Sequence, residues 1–481
     1  MQIISSFTLI RKRKKYRKRF GKLNIVKKRK RSLRKAKPRK ISASKNKKRT
    51  FKKRPLIKKN KRILQKFIHV QPQLQLQPLH STEPIKAQLQ QERSLVEPHA
   101  ELPPPHLESG VNLIGYTRTE IGLGEASRLL AASFEAVQLP FAILNYNDPG
   151  TLSARNNDTT WAHKEMNHAP YNVNLFHMNA PNLRWAYDLN ALPLGRELLH
   201  YRYNIGYWAW ELPDFPDEWR NSFDLVHEVW APSTFIVESL QQKSTVPVIR
   251  IPHAIEVRGQ VRNRSIFGLP EKQFLFLTMY DTHSLKERKN PQGAIEAFKR
   301  AFPSTNTSVG LVVKVNNSHT NPAELEILKD LIQGYSNIYL IQEILDRNKV
   351  DLLLNAIDCF ISLHRSEGFG LVLAEAMYLG KPVIGTNWSG NTDFMKSDNS
   401  CLVNYSLAHV GRDIGPYKAY QLWAEPDLEH AAHGMRKLVR DTNYRHSIAR
   451  RGQTTIREGY SPKVIGEMIH KRLIEIGIKL T

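Results

Sequence analysis

The chain has 481 residues, 72 Lys and Arg against 44 Asp and Glu, a formal net charge of +28, and two cysteines. Cys359 and Cys401 exclude a disulfide framework or a cysteine metal cluster and fit a reducing cytoplasm. No apolar run reaches the length of about 18 residues that spans a bilayer as a helix.

The excess charge is local. Of the 72 basic residues, 31 lie in Met1–Lys66, which holds no Asp or Glu, and the other 41 face 44 acidic residues. Overall charge is therefore no argument for nucleic-acid binding by the body of the protein. Residues 1–66 read as a disordered polybasic arm, too poor in apolar residues and too rich in like charge to bury a core. MQIISSFTLI is apolar, but the positive charges follow it and no small-residue cleavage site precedes them, so it does not read as a secretory signal. Anionic partners are the physical expectation for the arm. Near an acidic bilayer each Lys or Arg contributes about 1 kcal/mol, which favours a cytoplasmic protein held peripherally on the membrane surface. Nucleic acid comes second, because Tyr16, Phe20 and Phe51 are too sparse for a stacking platform. A merely solvated tail also fits such a block. Residues 67–108, rich in Gln and Pro, read as a semi-extended tether. The remainder is too long for one core and predicts two domains, 109–255 and 256–460, with a closing helix in 461–481.

The first domain opens on Val111–Tyr116, whose apolar run predicts a buried strand. Gly122, Gly124, Glu125 and Arg128 follow at the head of an amphipathic helix with Leu129, Leu130 and Phe134 on its apolar face. Strand, glycine turn and helix open a Rossmann-like unit, although the spacing is not the dinucleotide fingerprint. Gly122 and Gly124 are assigned to close backbone approach. Arg128 is assigned to an anionic group, with a plain surface position as the alternative. Strands follow at Phe141–Leu144 and Val173–Phe176, and His177 stands at the carboxyl end of the latter, where open α/β sheets bind ligands. Ile205–Trp208 and Glu228–Trp230 add two strands with a helix around Glu218–Phe223 between them. Ser233-Thr234 suits an N-cap for a helix over Phe235–Leu240, and Val248–Ile251 is one more strand. Trp208, Trp210, Glu211 and Pro213 form a cluster that suits either a sugar-acceptor surface or core packing.

The second domain starts with the strand Phe274–Met279 and the loop HSLKERKNP, after which Pro291 opens a helix at the position that tolerates it. Arg288 and Lys289 thus stand before a helix N-terminus, two cations suited to a diphosphate. Leu311–Val315 and Ile338–Ile341 bracket the helical pattern Pro322–Gln333, and a helix over Asp346–Asn355 leads into Cys359–Phe394. That stretch carries a strand, the loop Glu367-Gly368-Phe369-Gly370, a helix from Leu371 with Glu375 inside it, and the strand Pro382–Thr386. Gly368 and Gly370 let backbone N–H groups approach a ligand, and the helix N-terminus suits a phosphate. Two carboxylates eight positions apart would grip the hydroxyls of a phosphorylated small molecule. Helices over Asp427–Val439, Tyr444–Gln453 and Pro462–Ile478 close the chain. Alternating strands and helices in both halves predict two doubly wound α/β domains facing across a cleft. The cation cluster requires no metal, and no Asp-x-Asp occurs.

Glu-Gly-Phe-Gly followed by Glu-Ala-Met, with seven residues between the glutamates, resembles the signature of retaining nucleotide-sugar glycosyltransferases with the GT-B fold. The likeness is to the large family 4, which includes bacterial mannosyl- and glucosyltransferases. YWAWELPDFP and VWAPSTF are similar to the same group, and the resemblance covers almost all of Gly110–Thr481. It implies a hexose, mannose or glucose, moved from a nucleoside-diphosphate sugar to a glycan or lipid-linked acceptor in polysaccharide or cell-envelope biosynthesis. It implies that Glu375 binds ribose hydroxyls, that Glu367 holds the donor sugar, and that Lys289 contacts the leaving diphosphate. The family's partner arginine would fall near Ser284, so Arg288 is the candidate replacement. His177 would stand beside the donor sugar, and the Gly122–Gly124 loop would face the cleft. The backbone of Gly368, Phe369, Gly370 and Leu371 would meet the diphosphate, with Gly390 and Asn391 approaching the donor. The last helix would cross back to the first domain. Retention implies same-face attack, with the departing phosphate taking the acceptor's proton and no protein nucleophile. No cofactor and no metal are implied. The alternatives are a GT-B enzyme of other chemistry, such as a phosphorylase or epimerase, which the Glu367/Glu375 spacing does not support; a catalytically degenerate scaffold, against which the intact set Glu367, Lys289 and Glu375 argues; and an anionic-polymer-binding protein acting through the arm.

Overall fold

The computed structural model describes residues 106–147, 155–258 and 261–479. The basic arm and almost all of the tether, residues 1–105, lie outside the described residues.

Two six-stranded parallel sheets organise the chain. The first contains β1 (Glu108–Gly115), β2 (Phe141–Asn145), β3 (Tyr171–His177), β4 (Tyr203–Tyr207), β5 (Glu228–Ala231) and β6 (Val248–Arg250), in the order β2-β1-β3-β4-β5-β6. Its helices are α1 (Gly122–Ala136), α2 (Ala180–Asp188) and α3 (Thr234–Gln241). The second sheet contains β7 (Phe274–Asp281), β8 (Val309–Asn316), β9 (Ile338–Ile341), β10 (Cys359–Ser362), β11 (Val383–Thr386) and β12 (Cys401–Val403), in the order β12-β11-β10-β7-β8-β9. It is interleaved with α4 (Lys286–Lys289), α5 (Pro291–Ala301), α6 (Pro322–Ile332), α7 (Arg347–Ala356) and α8 (Leu371–Tyr378). An antiparallel hairpin, β13 (Tyr405–His409) with β14 (Leu422–Pro426), precedes α9 (Leu428–Arg440), α10 (Thr442–Gly459) and α11 (Pro462–Glu475). These are the two facing Rossmann-like domains of the GT-B architecture.

The sequence dictates this layout through burial on both faces. Central strands such as β1 and β8 read as continuous apolar runs because helices cover each side. Each sheet accordingly has a core on either face. The last helix, α11, belongs to the first sheet's core: Ile465, Ile469 and Leu473 are fully buried with Leu129, Leu130 and Phe134 of α1. Each such side chain contributes roughly 1.5–3 kcal/mol by leaving water. Gly466 permits the approach, since a Cβ there would stand 2.3 Å from the Ser133 carbonyl oxygen.

Several elements differ from the sequence expectation. Lys286–Lys289 is a one-turn helix rather than loop, and Asp217–Leu225 is 3-10 rather than α-helical. The hairpin and α2 carried no recognised periodic signal. Trp208 and Trp210 are packing residues, 1% and 2% exposed, set among Phe215, Trp219 and Phe223. They do not form an open sugar surface.

Among the described residues, no helix is long and apolar enough to cross a membrane.

Candidate active site

The two sheets present their carboxyl ends to one cleft, and the Glu367 loop forms its centre. β10 ends at Ser362, and the chain crosses to α8 through Glu367-Gly368-Phe369-Gly370. Gly370 caps the helix at φ +95°, the left-handed region that side chains avoid. The first N–H groups of α8 have no intrahelical acceptor and open toward the cleft. Gly368 sits against the first domain, where a Cβ would meet Ile236 Cδ1 and the Trp210 carbonyl oxygen at 3.2 Å each. Ser233, which caps α3, also donates its hydroxyl to Gly368 O at 2.6 Å. One helix cap thus ties the two domains together beside the site.

Glu367 is 9% exposed and held by two cations. Lys289 Nζ donates to Oε1 at 2.5 Å and Arg288 Nη1 to Oε2 at 3.2 Å. Burial alone would raise the carboxyl's pKa, but Lys289 and Arg288 outweigh it and hold the group at about 2. Glu367 is therefore an anion at any physiological pH. Arg288, buried and also 3.6 Å from Glu211, pays the cost of burial, but nearby Tyr417, Glu211 and Glu367 keep its pKa raised. Tyr417 donates to Glu211 Oε2 at 3.0 Å.

Glu375 lies on α8, 1% exposed. Arg347 Nη1 donates to its Oε1 at 2.8 Å, whereas Oε2 has no hydrogen-bond partner among the described residues. Burial pushes this carboxyl's pKa up, Arg347 opposes it, and Glu125 adds to it. Arg347 also bonds Asp351 and stands 3.7 Å from Glu125 of the first domain. Burial raises Asp351 to about 6, with Arg347 opposing and Glu375 adding.

Around these residues the cleft has two lobes. One, of about 650 Å³, is lined by Glu367, the Gly368–Leu373 backbone, Arg288, Lys289 and His253. The other, of about 250 Å³, is lined by Glu375, Arg347, Lys314, Met279, Leu345 and Val350. They share Gly122, Ser284, Lys289 and Leu371. Lys289 at the junction and the helix N-terminus beside it offer positive potential for a diphosphate. Carboxylates on either side offer acceptors for hydroxyls.

The structure thus brings Glu367, Glu375, Lys289, Arg288, Gly368, Phe369, Gly370, Leu371 and Gly122 to one cleft. Other expected residues take different places. His177 is 1% exposed, bonds Ser127 Oγ at 2.9 Å, and is held neutral by burial, its pKa lowered to about 4. The imidazoles that line the cleft are His283 and His253, the latter 5.2 Å from the Phe369 ring. Arg128 touches the cleft wall, but its donors go to Glu125, Asp158 and the Thr117 and Thr119 carbonyls. The close approach at Gly124 is to the chain itself, since a Cβ would stand 1.9 Å from Thr119 O. Gly122 has open space, with nothing within 4 Å of its would-be Cβ. Gly390 packs on the Gly368 carbonyl, and Asn391 is fully buried, bonded to His364 and Thr386 O. These two support the Glu367 loop from behind.

Sequence reasoning missed Arg347, Lys314, Tyr417 and His253. Arg347 follows the helix cap Asp346, and nothing local marks it as a partner of Glu375.

Comparison with known proteins agrees with this geometry. Residues 260–455 match the family model described as Glycosyl transferases group 1. Among solved structures, sucrose-phosphate synthase from Thermosynechococcus elongatus superposes with a TM-score of 0.56 at 12% identity, covering 77% of this chain and 99% of that one. Anabaena HepE, solved with UDP and glucose, gives 0.53 at 14% identity, covering 76% and 100%. The fold is that of GT-B glycosyltransferases, with a group 1 match in its second domain. Curated relatives are more distant. The human alpha-1,3/1,6-mannosyltransferase ALG2 is 23% identical over 131 residues, 27% of this chain, and its mouse counterpart 22% identical over 212 residues, 43% of this chain. The matched regions span 26% and 46% of those relatives' own lengths.

Proposed function

We propose that the protein is a retaining glycosyltransferase that moves a hexose from a nucleoside-diphosphate sugar to a glycan or lipid-linked acceptor, in the building of cell-surface polysaccharide. The observation that carries this reading is the Glu367–Lys289–Arg288 cluster at the N-terminus of α8, with Glu375 further along the same helix and cleft. Breaking the glycosidic C–O bond develops positive charge on the sugar and negative charge on the diphosphate. Lys289 and the free amides of α8 stabilise the latter, and preorganised donors of this kind are the largest catalytic contribution in many enzymes. Glu367 is committed to two cations, which suits it to hold sugar hydroxyls and makes it a poor nucleophile. The acceptor then attacks the face that the diphosphate leaves, and the departing phosphate oxygen takes the acceptor's proton. Glu375 Oε2, buried without a partner among the described residues, suits a ribose hydroxyl.

Mannose is supported by the distant mannosyltransferase relatives, and a sugar nucleotide by the fold shared with a protein solved with UDP and glucose. The 31 cations of residues 1–66 support a place beside anionic lipid, where a lipid-linked acceptor would be met.

The test is turnover with a panel of UDP-, GDP- and ADP-sugars, comparing the wild type with Glu375→Ala. Transfer or hydrolysis of one donor, lost in the variant, is expected. No turnover and no thermal shift with any nucleotide would overturn the proposal in favour of a degenerate scaffold.

A further inference from the structure

Lys314 is a charged residue of the cleft whose chemistry the reading above leaves unused. It sits near the carboxyl end of β8, in register with Met279 of β7 and Ile341 of β9. Its side chain is buried, with the residue 2% exposed, and it lines the lobe that holds Glu375. An ammonium carries three donors. Here Nζ has a single hydrogen bond, to the carbonyl oxygen of its own neighbour Val315 at 3.1 Å. The charges of Asp281 and Glu343 act on it, but among the described residues no carboxylate forms an ion pair with it. A buried cation with unspent donors costs free energy unless a ligand uses them.

Its position says which part of a ligand that is. Lys314 lines the Glu375 lobe and not the Glu367 lobe, whereas Lys289 lines both. A donor with its diphosphate at Lys289 and its ribose at Glu375 would extend its base toward Lys314. The walls there are Met279, Leu345 and Val350, apolar side chains suited to the faces of a flat ring. We infer that Lys314 reads the base of the nucleotide, donating from Nζ to a keto oxygen on the base's hydrogen-bonding edge. Uracil and guanine present such an oxygen, whereas adenine presents an amino group at the corresponding place and would set donor against donor. The inference rests on the nucleotide-sugar reading and narrows its donor to a uridine or guanosine diphosphate sugar.

The experiment is calorimetric titration of the full chain with UDP, GDP and ADP, for the wild type, Lys314→Met and Glu375→Ala. UDP or GDP is expected to bind the wild type roughly tenfold or more tightly than ADP. Lys314→Met should abolish that preference while leaving ADP affinity within about twofold, and Glu375→Ala should weaken all three alike. An equal fall for all three in Lys314→Met would make the lysine a phosphate contact and overturn the inference, as would an unchanged preference. Binding of none of the three by the wild type would instead sink the nucleotide-sugar reading itself. Should Lys314→Met fail to fold, Lys314→Gln, which keeps a shorter neutral donor, is expected to retain part of the preference; equal affinities for all six wild-type and Gln pairs would count against the base contact.

Discussion

Arg347 and Glu375 form an ion pair at 2.8 Å inside the cleft, and the same guanidinium stands 3.7 Å from Glu125 on the opposite domain. The carboxylate that offers itself to a ribose is thus half-occupied by an arginine that also faces the other domain. Removing one member of a buried pair leaves the other without its counter-charge, which costs more than removing both. Arg347→Met is therefore expected to lower the free energy of unfolding by roughly 3 kcal/mol, with Arg347→Met/Glu375→Gln recovering most of the loss. Urea denaturation of the two single variants and the double variant measures the coupling. Additive losses would mean that the pair is not coupled in the folded protein.

Lys289 has a different task, because it sits at the junction of the two lobes and its bond to Glu367 does not bury it completely. If it stabilises the departing diphosphate, Lys289→Met should reduce turnover by about 10²–10³-fold. Lys289→Arg should be impaired less, since the charge survives although the point geometry of the ammonium does not. Steady-state rates with the donor identified by the panel decide this. Equal loss in both variants would point to geometry, and not charge, as what Lys289 supplies.

Acid should affect the fold through groups that pull in opposite directions. His177, held at about 4 from an ordinary 6.5, contributes stability that is present above pH 6.5 and lost as the pH falls toward 4. Asp351, raised from 3.8 to about 6, contributes the reverse: the folded state gains as the pH falls from 6 to 3.8. Glu367, lowered from 4.5 to about 2, loses its contribution only between pH 4.5 and 2. Asp351→Asn should therefore make thermal stability fall more steeply than in the wild type between pH 6 and 4. Glu367→Gln should flatten the fall below pH 4.5. Melting temperatures across pH 3–8 test both differences, and identical slopes in all three proteins would show that these carboxylates do not govern the acid limb.

What the sequence made legible follows from what is local. The buried parallel strands are largely apolar runs, so eleven of the twelve were readable with their boundaries within a few residues, all but β12. Glu367, Gly370 and Glu375 share one strand–loop–helix unit, so spacing alone put them on a common site. Arg288 and Lys289 were legible because they stand just before Asn290 and Pro291, the cap and first residue of α5. The remainder comes from contacts far apart in the chain. Tyr417 meets Glu211 across 206 positions, and nothing near Tyr417 marks it. Arg128 looked like a free cation at a helix start, yet Asp158, remote in sequence, helps to occupy it. Gly124 and Gly390 looked like ligand-facing glycines, whereas their missing side chains make room for the backbone carbonyls of Thr119 and Gly368.

The contact between α1 and α11 gives a prediction independent of catalysis. A Cβ at Gly466 would stand 2.3 Å from Ser133 O and 2.8 Å from Val137 Cγ1, so Gly466→Ala must push the helices apart. Overpacking of this kind costs about 1–3 kcal/mol, and with a backbone oxygen at 2.3 Å the cost falls toward the upper end and outweighs the roughly 0.8–1 kcal/mol that alanine returns through helix propensity. The variant should melt lower while its KM for the donor stays near the wild-type value, since Gly466, Ser133 and Val137 line neither lobe of the cleft. A melting temperature equal to the wild type would mean that α11 does not pack on α1 in solution.

His177 and His253 separate support from contact. His177 is enclosed by Ser127 and Tyr207, and its Nδ1 bond to Ser127 Oγ at 2.9 Å holds α1 against the end of β3. His253 Nδ1 stands 3.0 Å from the Tyr207 hydroxyl, which itself donates to the Ile251 carbonyl oxygen at 2.7 Å, and the ring turns toward Phe369 and the Glu367 lobe. His177→Ala leaves a cavity, while the Ser127 hydroxyl keeps its bond to the Leu123 carbonyl oxygen, so it should cost about 2 kcal/mol of stability and change the donor KM little. His253→Ala removes a wall of the lobe where the sugar would sit, so turnover should fall by about tenfold or more while stability falls less. Melting curves and steady-state kinetics on both variants separate the two roles. Loss of turnover in His177→Ala at an unchanged melting temperature would reverse the assignment and return the sugar contact to the end of β3.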